Sequence, residues 1–272
     1  VITARPTTTH QEIAMPVLAD LLSALRADQL EIVDLTAPLT DTTPVLKLPE
    51  PFANTINFRL EEISRYDERG PMWYWNNIHT GEHTGTHVDA PNHWVSGKDG
   101  NDVASIPLRN LVAPAVVLDM SARVADNPDY LLQIDDVRAF EAEHGSLPDG
   151  GWLLYRTGWD TRSADQDEFL NVTEDGRSHT PGISPECAAW LAEESPIVGL
   201  GVETVGTDAG RAAELEPAFP CHNRVLGAGK CGLTQLRNLA RLPVTGAVLV
   251  VSPLPIIGGS GSPARVYAIV ER

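Results

Sequence analysis

The chain has 272 residues, 42% of them hydrophobic, and is rich in Gly and Pro. It can bury a full core as one large domain or two small ones, and its loop-rich composition suits a globular enzyme better than a helical bundle. A formal charge of −17 excludes nucleic acid as an expected partner, because phosphate binding needs a basic surface.

In chain order, residues 1–10 read as a polar arm with no apolar signal-peptide core. Residues 14–26 follow with Val17, Leu18, Leu21, Leu22 and Leu25 at helical spacing, an amphipathic helix. Arm and helix occupy residues 1–30, ahead of a main domain over 31–272. Strands are expected at 31–35, ended by Pro38, and at 55–60. Trp73, Tyr74 and Trp75 lead into a His-rich tract. A strand is expected at 115–119. The helix at 134–144 has Asp135 and Asp136 at its start and Gly145 at its stop. A strand at 152–156 precedes a helix opened by Ser184 and Pro185 and running to Leu191. A strand at 197–202, a short helix at 234–239 and strands at 247–252 and 266–270 complete the pattern. The Gly-rich stretch 257–263 lacks a P-loop Lys and reads as a loop between the last strands. Helices placed between more numerous strands predict a mixed α/β single domain with peripheral helices.

Three cysteines, Cys187, Cys221 and Cys231, are too few and too odd for a disulfide framework, so a reducing, cytoplasmic setting is expected. Cys221 beside His222 resembles a nucleophilic pair, but neighbours in an extended chain point opposite ways, and a buried thiol is the expected reading. The longest apolar tract, 244–257, is broken by Pro and Gly and too short to cross a bilayer. No membrane partner is expected.

The informative tract is His83-Thr84-Gly85-Thr86-His87-Val88-Asp89-Ala90-Pro91-Asn92-His93. Imidazole and carboxylate are common ligands for first-row divalent metals, and two His with one carboxylate leave positions open for chemistry. A helix is disfavoured by β-branched Thr84, Thr86 and Val88, by Gly85 and by Pro91. A straight strand would separate His83 from His87 by roughly 13 Å. A bent loop at a strand end remains, with Gly85 supplying the bend and His87 and Asp89 pointing the same way. The turn at Ala90-Pro91 would return His93 to the site as a base that is not a ligand. His79 is a second choice for the place of His83.

The tract resembles the signature of the cyclase family of metal-dependent hydrolases, which includes bacterial kynurenine formamidases. Other pieces are similar in the same order: Ile32-Val33-Asp34-Leu35-Thr36 with Pro38, Leu153 to Trp159 with its Thr-Gly turn, Pro181-Gly182-Ile183-Ser184 with Trp190-Leu191, Ser252-Pro253-Leu254, and Ser262-Pro263-Ala264-Arg265. The resemblance implies a swivelling β/β/α fold, an oligomer with a dimer first, and metal-dependent amide hydrolysis. It places the metal on His83, His87 and Asp89, an acid/base at His93, and a second important imidazole at His222, a donor to the developing oxyanion. Two-metal members carry a Glu where this chain has Thr234, followed by Gln235, so one divalent ion is expected, Mn²⁺ ahead of Zn²⁺. Glu203 stands where the family has Asp.

Among single-metal members the resemblance is to those that open a cyclic amide, isatin to isatinate. The expected partner is then a small aromatic amide substrate, contacted by Trp73, Trp75, Trp94 and Gln235. Alternatives are an arylformamidase acting on N-formylkynurenine, an Fe(II) oxygenase using the two-His-one-carboxylate triad, and a non-catalytic binding protein.

Overall fold

The computed structural model describes residues 16–174 and 176–272. The arm expected over 1–10 and the first residues of the expected N-terminal helix lie outside them. The helices are α1 (Pro16–Arg26), α2 (Leu108–Leu111), α3 (Ser121–Asp126), α4 (Ile134–His144), α5 (Gln166–Leu170) and α6 (Pro185–Glu193). The strands are β1 (Leu30–Asp34), β2 (Arg59–Arg65), β3 (Tyr74–His79), β4 (His87–Asp89), β5 (Val112–Asp119), β6 (Leu131–Leu132), β7 (Trp152–Arg156), β8 (Gly182–Ile183), β9 (Gly199–Val202), β10 (Cys231–Thr234), β11 (Ala247–Pro253) and β12 (Gly261–Glu271).

The main sheet runs β12-β11-β5-β7-β9-β10-β4 and closes, because β4 also pairs with β12; β1 lies on the outer side of β12. The molecule is thus a mixed α/β domain around a closed seven-strand barrel, where the sequence pattern suggested only a mixed sheet. Strands β5, β7, β9 and β10 are parallel neighbours, and the remaining barrel pairings are antiparallel. Closure leaves no free edge among these seven strands.

Side-chain alternation makes two cores. Val88, Ala115, Val117, Trp152, Leu154, Leu233, Leu249 and Val266 form one cluster drawn from six barrel strands, which fills the interior. The intervening residues Val116, Leu118, Leu153, Tyr155, Leu200 and Val202 form a second cluster with Val137 and Phe140 of α4 and Leu191 of α6. Strand β9 presents glycine to the interior. A Cβ on Gly199 would lie 2.4 Å from the Trp152 ring, and one on Gly201 2.6 Å from Leu154.

The caps of two helices follow the sequence. Ser184 accepts from the Cys187 amide at the start of α6, and Gly145 ends α4 with φ 92°. Three expectations are corrected. The strand expected at 55–60 begins only at Arg59, where β3 supplies its antiparallel partner. The stretch 234–239 is not a helix: Thr234 ends β10, which pairs with both β9 and β4, and Gln235 and Asn238 have left-handed φ. The Gly-rich loop shortens because Gly261–Pro263 pairs with His87–Asp89. This approach needs glycine, since a Cβ on Gly261 would meet the Val88 carbonyl at 2.4 Å.

Helix α1 buries none of its residues, and Val17 is 77% exposed. The β2–β3 hairpin likewise exposes Met72, Trp73, Trp75 and Ile78.

Candidate active site

The His-rich tract lies on the outer face of the barrel where β4, β10 and β12 meet. Val88 points into the core, so His87 and Asp89 share the opposite face. Opposite Asp89 stands Gly232, where a Cβ would come within 2.9 Å of its carboxylate. Before β4 the chain bends as the composition predicts, with Gly85 at φ 63°. The bend returns His83 to the strand: ligand atoms of His83, His87 and Asp89 lie within 4.8 Å of one another.

Neighbouring groups decide which nitrogens face the cluster. Ser260 Oγ donates to Glu82 Oε2 at 2.6 Å, so it accepts from His83 Nε2 at 2.8 Å. In the neutral ring His83 Nδ1 is then the bare nitrogen, 2.7 Å from Asp89 Oδ1. In the same way, Nδ1 of His87 donates to the Gly85 carbonyl at 2.7 Å, leaving Nε2 3.3 Å from the same oxygen. Two bare nitrogens converging on a buried carboxylate oxygen form a donor set that fits a divalent ion. Burial works to raise the Asp89 pKa, but where the two rings are protonated the charge of His87 and hydrogen bonds from His83 and His87 outweigh it and hold the carboxyl well below its ordinary range.

Removing the Ser260 hydroxyl should therefore loosen metal binding without touching a ligand. Ser260→Ala and Glu82→Gln are each expected to weaken metal affinity by about ten- to a hundred-fold, measured by competition against a chelating dye. Unchanged affinity in both would mean that His83 is oriented by other contacts.

His93 ends the Pro91–His93 turn, its amide donating to the Ala90 carbonyl at 2.9 Å. Its ring stacks on His83 at 3.9 Å between centroids. Burial is the largest influence, outweighs the opposing Asp89 carboxylate and pushes the His93 pKa down to about 4, so the ring is neutral near neutral pH. Across the site, His222 lies 5.6 Å from His93 and begins a π-helical turn, His222–Leu226. His222 Nδ1 bonds Asp208 Oδ2 at 2.6 Å. The Asp208 carboxylate also accepts the backbone amides of Cys221 and His222 at 2.7 and 2.9 Å. Burial works to lower the His222 pKa, but Asp208 outweighs it and the pKa is raised. Asp208 was missed in the sequence, where nothing marks one Asp on a loop as the partner of a His fourteen residues on.

A cavity of about 290 Å³ covers these groups, lined by His83, His87, Asp89, His93 and His222 with Leu46, Leu48, Val205 and Gly206 among others. Trp94 packs on His222 at 4.9 Å and on Phe219 at 5.5 Å. Trp73 and Trp75, 49% and 53% exposed, stand on the hairpin and do not line this cavity. Gln235 is buried, its amide 3.4 Å from the Pro44 carbonyl. Thr234 Oγ1 lies 3.0 and 3.1 Å from the two ring nitrogens of His87 and offers no carboxylate for a second ion. His79 bonds Glu61 at 2.6 Å at the end of the hairpin, away from the cluster. Burial pushes the Cys221 thiol well up, which suits an inert thiol and not a nucleophile.

Glu203 supports the loop that carries Val205, Gly206 and Asp208. Its Oε2 accepts from the amides of Thr157, Gly158 and Trp159 and from the Thr157 hydroxyl. Burial and nearby Asp160 push its pKa up, and these bonds pull it back. Glu203→Ala would leave several buried donors unpaired and should cost about 3 kcal/mol or more, read from urea unfolding. A loss under about 1 kcal/mol would show that water replaces the carboxylate.

The family model described as "Putative cyclase" matches residues 33–209. An isatin hydrolase from Roseibium aggregatum is 43% identical over 262 residues, covering 95% of this chain and 99% of the relative. The structure of isatin hydrolase A from Labrenzia aggregata bound to benzyl benzoate superimposes with TM-score 0.91 at 47% identity, covering 94% of this chain and 100% of that one. An isatin hydrolase bound to the product analogue thioisatinate superimposes with TM-score 0.92 at 42% identity, covering 95% and 99%. Motif order, barrel and cluster agree with these matches, and the chain belongs to the cyclase family as an isatin hydrolase-like hydrolase.

Proposed function

We propose that the protein hydrolyses a cyclic aromatic amide, opening isatin to isatinate, with one Mn²⁺ held by His83, His87 and Asp89. The observation that carries this reading is the convergence of those three ligands beneath a cavity whose rim holds two further imidazoles. Similarity to relatives that carry the name isatin hydrolase, one holding thioisatinate, supports the substrate. Thr234 in place of a carboxylate supports a single ion.

When bound, the ion supplies Lewis-acid activation of water and of the amide carbonyl. The protein does the rest. Neutral His93 takes a proton from the attacking water and returns it to the ring nitrogen as the C–N bond breaks. A new C–O bond forms at the same carbon, so the product is a single amino-aryl keto acid. His222 donates to the oxygen on which charge develops. With Nδ1 committed to Asp208, it can donate through Nε2 only as imidazolium, the form Asp208 stabilises.

Asp208→Asn should therefore lower the His222 pKa. A group with a raised pKa keeps its proton to higher pH, so losing Asp208 moves the alkaline limb of kcat to lower pH. An unmoved limb would count against His222 acting as a charged donor.

Trp94 is proposed to wall the substrate beside His222. Gln235 is proposed to contribute by holding the Pro44 segment ahead of Leu46 and Leu48. Trp73 and Trp75 would reach a substrate only across a homodimer interface. The exposed apolar faces of the hairpin and of α1, in the N-terminal segment 1–30, support such an interface. Three buried free thiols support a cytoplasmic setting. Among the described residues no helix is long and apolar enough to cross a membrane.

The deciding assay strips the metal, restores Mn²⁺ or Zn²⁺, and offers isatin and N-formylkynurenine side by side. Ring opening of isatin, strongest with Mn²⁺, is expected. Preference for the formamide with Zn²⁺ would overturn both the lactam and the single-ion readings.

A further inference from the structure

The reaction cavity opens on a second one. This neighbour has a volume of about 400 Å³, and Leu46, Leu48, Val205, Gly206 and His222 line both. Beyond that shared wall its apolar surface comes from Leu170, Val172, Ala209, Ala213 and Phe219. On its rim Glu214 pairs with Arg177 and Arg211, and Lys47 donates to Asn57. The apolar part of the chamber suits an apolar group.

Phe219 is the built feature. Its φ is 52°, a conformation that a bulky side chain adopts only where its surroundings impose it, and such residues cluster at binding sites. Here the amide donates to the Ala212 carbonyl at 3.0 Å, and the carbonyl accepts from Asn223 at 2.9 Å. So held, the ring lines the second chamber and packs on Trp94, which packs on His222. Phe219 is thus linked to His222 through Trp94, which packs behind both rings and lines neither cavity. The first cavity alone, about 290 Å³, sits at the small end of ligand sites, roughly 300–1,000 Å³.

We propose that the second chamber is a subsite for an aryl or aralkyl substituent on the lactam, so that the preferred substrate class is a bicyclic lactam bearing a further aromatic ring. The inference rests on the lactam-hydrolase reading above and names the substrate of that same site. The covalent step is unchanged: water adds across the amide, C–O forms, C–N breaks, and the nitrogen leaves with a proton. The substituent contributes only binding.

The test uses the full chain loaded with Mn²⁺ and compares kcat/KM for isatin with that for isatins carrying a benzyl group at N1, C5 or C7. Burial of a phenyl ring predicts that at least one benzyl derivative exceeds isatin by about ten-fold or more, chiefly through KM. Ala213→Trp, at an exposed position on the rim where folding is not at stake, and Phe219→Ala vary the chamber; one or both should erase that preference. The inference fails if no derivative exceeds isatin by that margin, or if the preference survives both substitutions. No turnover of isatin or any derivative by the metal-loaded protein would instead overturn the lactam-hydrolase reading itself.

Discussion

Asp89→Ala is expected to abolish metal binding and, with it, turnover. Asp89 is the single carboxylate of the cluster, and its Oδ1 is the atom on which His83 Nδ1 and His87 Nε2 converge. Removing it takes away the only negative charge among the three ligands and leaves two neutral imidazoles, a poor site for a hard divalent ion. Lewis-acid activation supplies several kcal/mol of transition-state stabilisation, so kcat/KM should fall by at least about three orders of magnitude, each ten-fold being 1.36 kcal/mol. The fold should survive, because the pairing of Asp89 with Gly232 and Gly261 uses backbone groups and the core contact on β4 is Val88. Elemental analysis and far-UV circular dichroism separate the two effects. A folded Asp89→Ala protein that kept stoichiometric metal and normal turnover would show that the ion binds elsewhere.

His93→Gln gives the second large effect, with the opposite metal signature. His93 touches the His83 ring but is not one of the three ligands. The variant should therefore bind metal normally while kcat falls by about 10²–10⁴, the usual worth of a positioned acid/base. KM should change little, because the imidazole moves a proton in the transition state and does not hold the ground-state substrate. The neutral ring of the parent, set chiefly by burial, suits a group that must accept a proton before giving it back. Near-normal turnover with metal bound would remove His93 from the base role and leave His222 as the remaining imidazole on the rim.

Much of the site was legible because its information is local. The β-branched residues and Pro91 argued against a helix, Gly85 supplied the bend, and period-two alternation put His87 and Asp89 on one face. The helix 134–144 and strand 152–156 were legible for the same reason, since their signals lie within the segment and its caps. Where local pattern misled, the winning influence came from elsewhere in the chain. Residues 234–239 carry a weak helical pattern, but β9 and β4 claim Cys231–Thr234 as a strand. The apolar stripe of α1 suggested a buried face, yet none of its residues is buried within this chain.

By itself the sequence named the three candidate ligands and the neighbouring imidazole His93, since eleven consecutive residues contain them all. Only the tertiary structure decided their protonation, their partners and the size of the cavity. Ser260 reaches His83 across 177 positions, and Asp208 meets His222 across 14. Barrel closure, which brings β12 against β4, joins segments from opposite ends of the domain. A hydrogen bond acts over about 3 Å whatever the separation along the chain, so these pairings follow from packing and have no signature in any local stretch of residues.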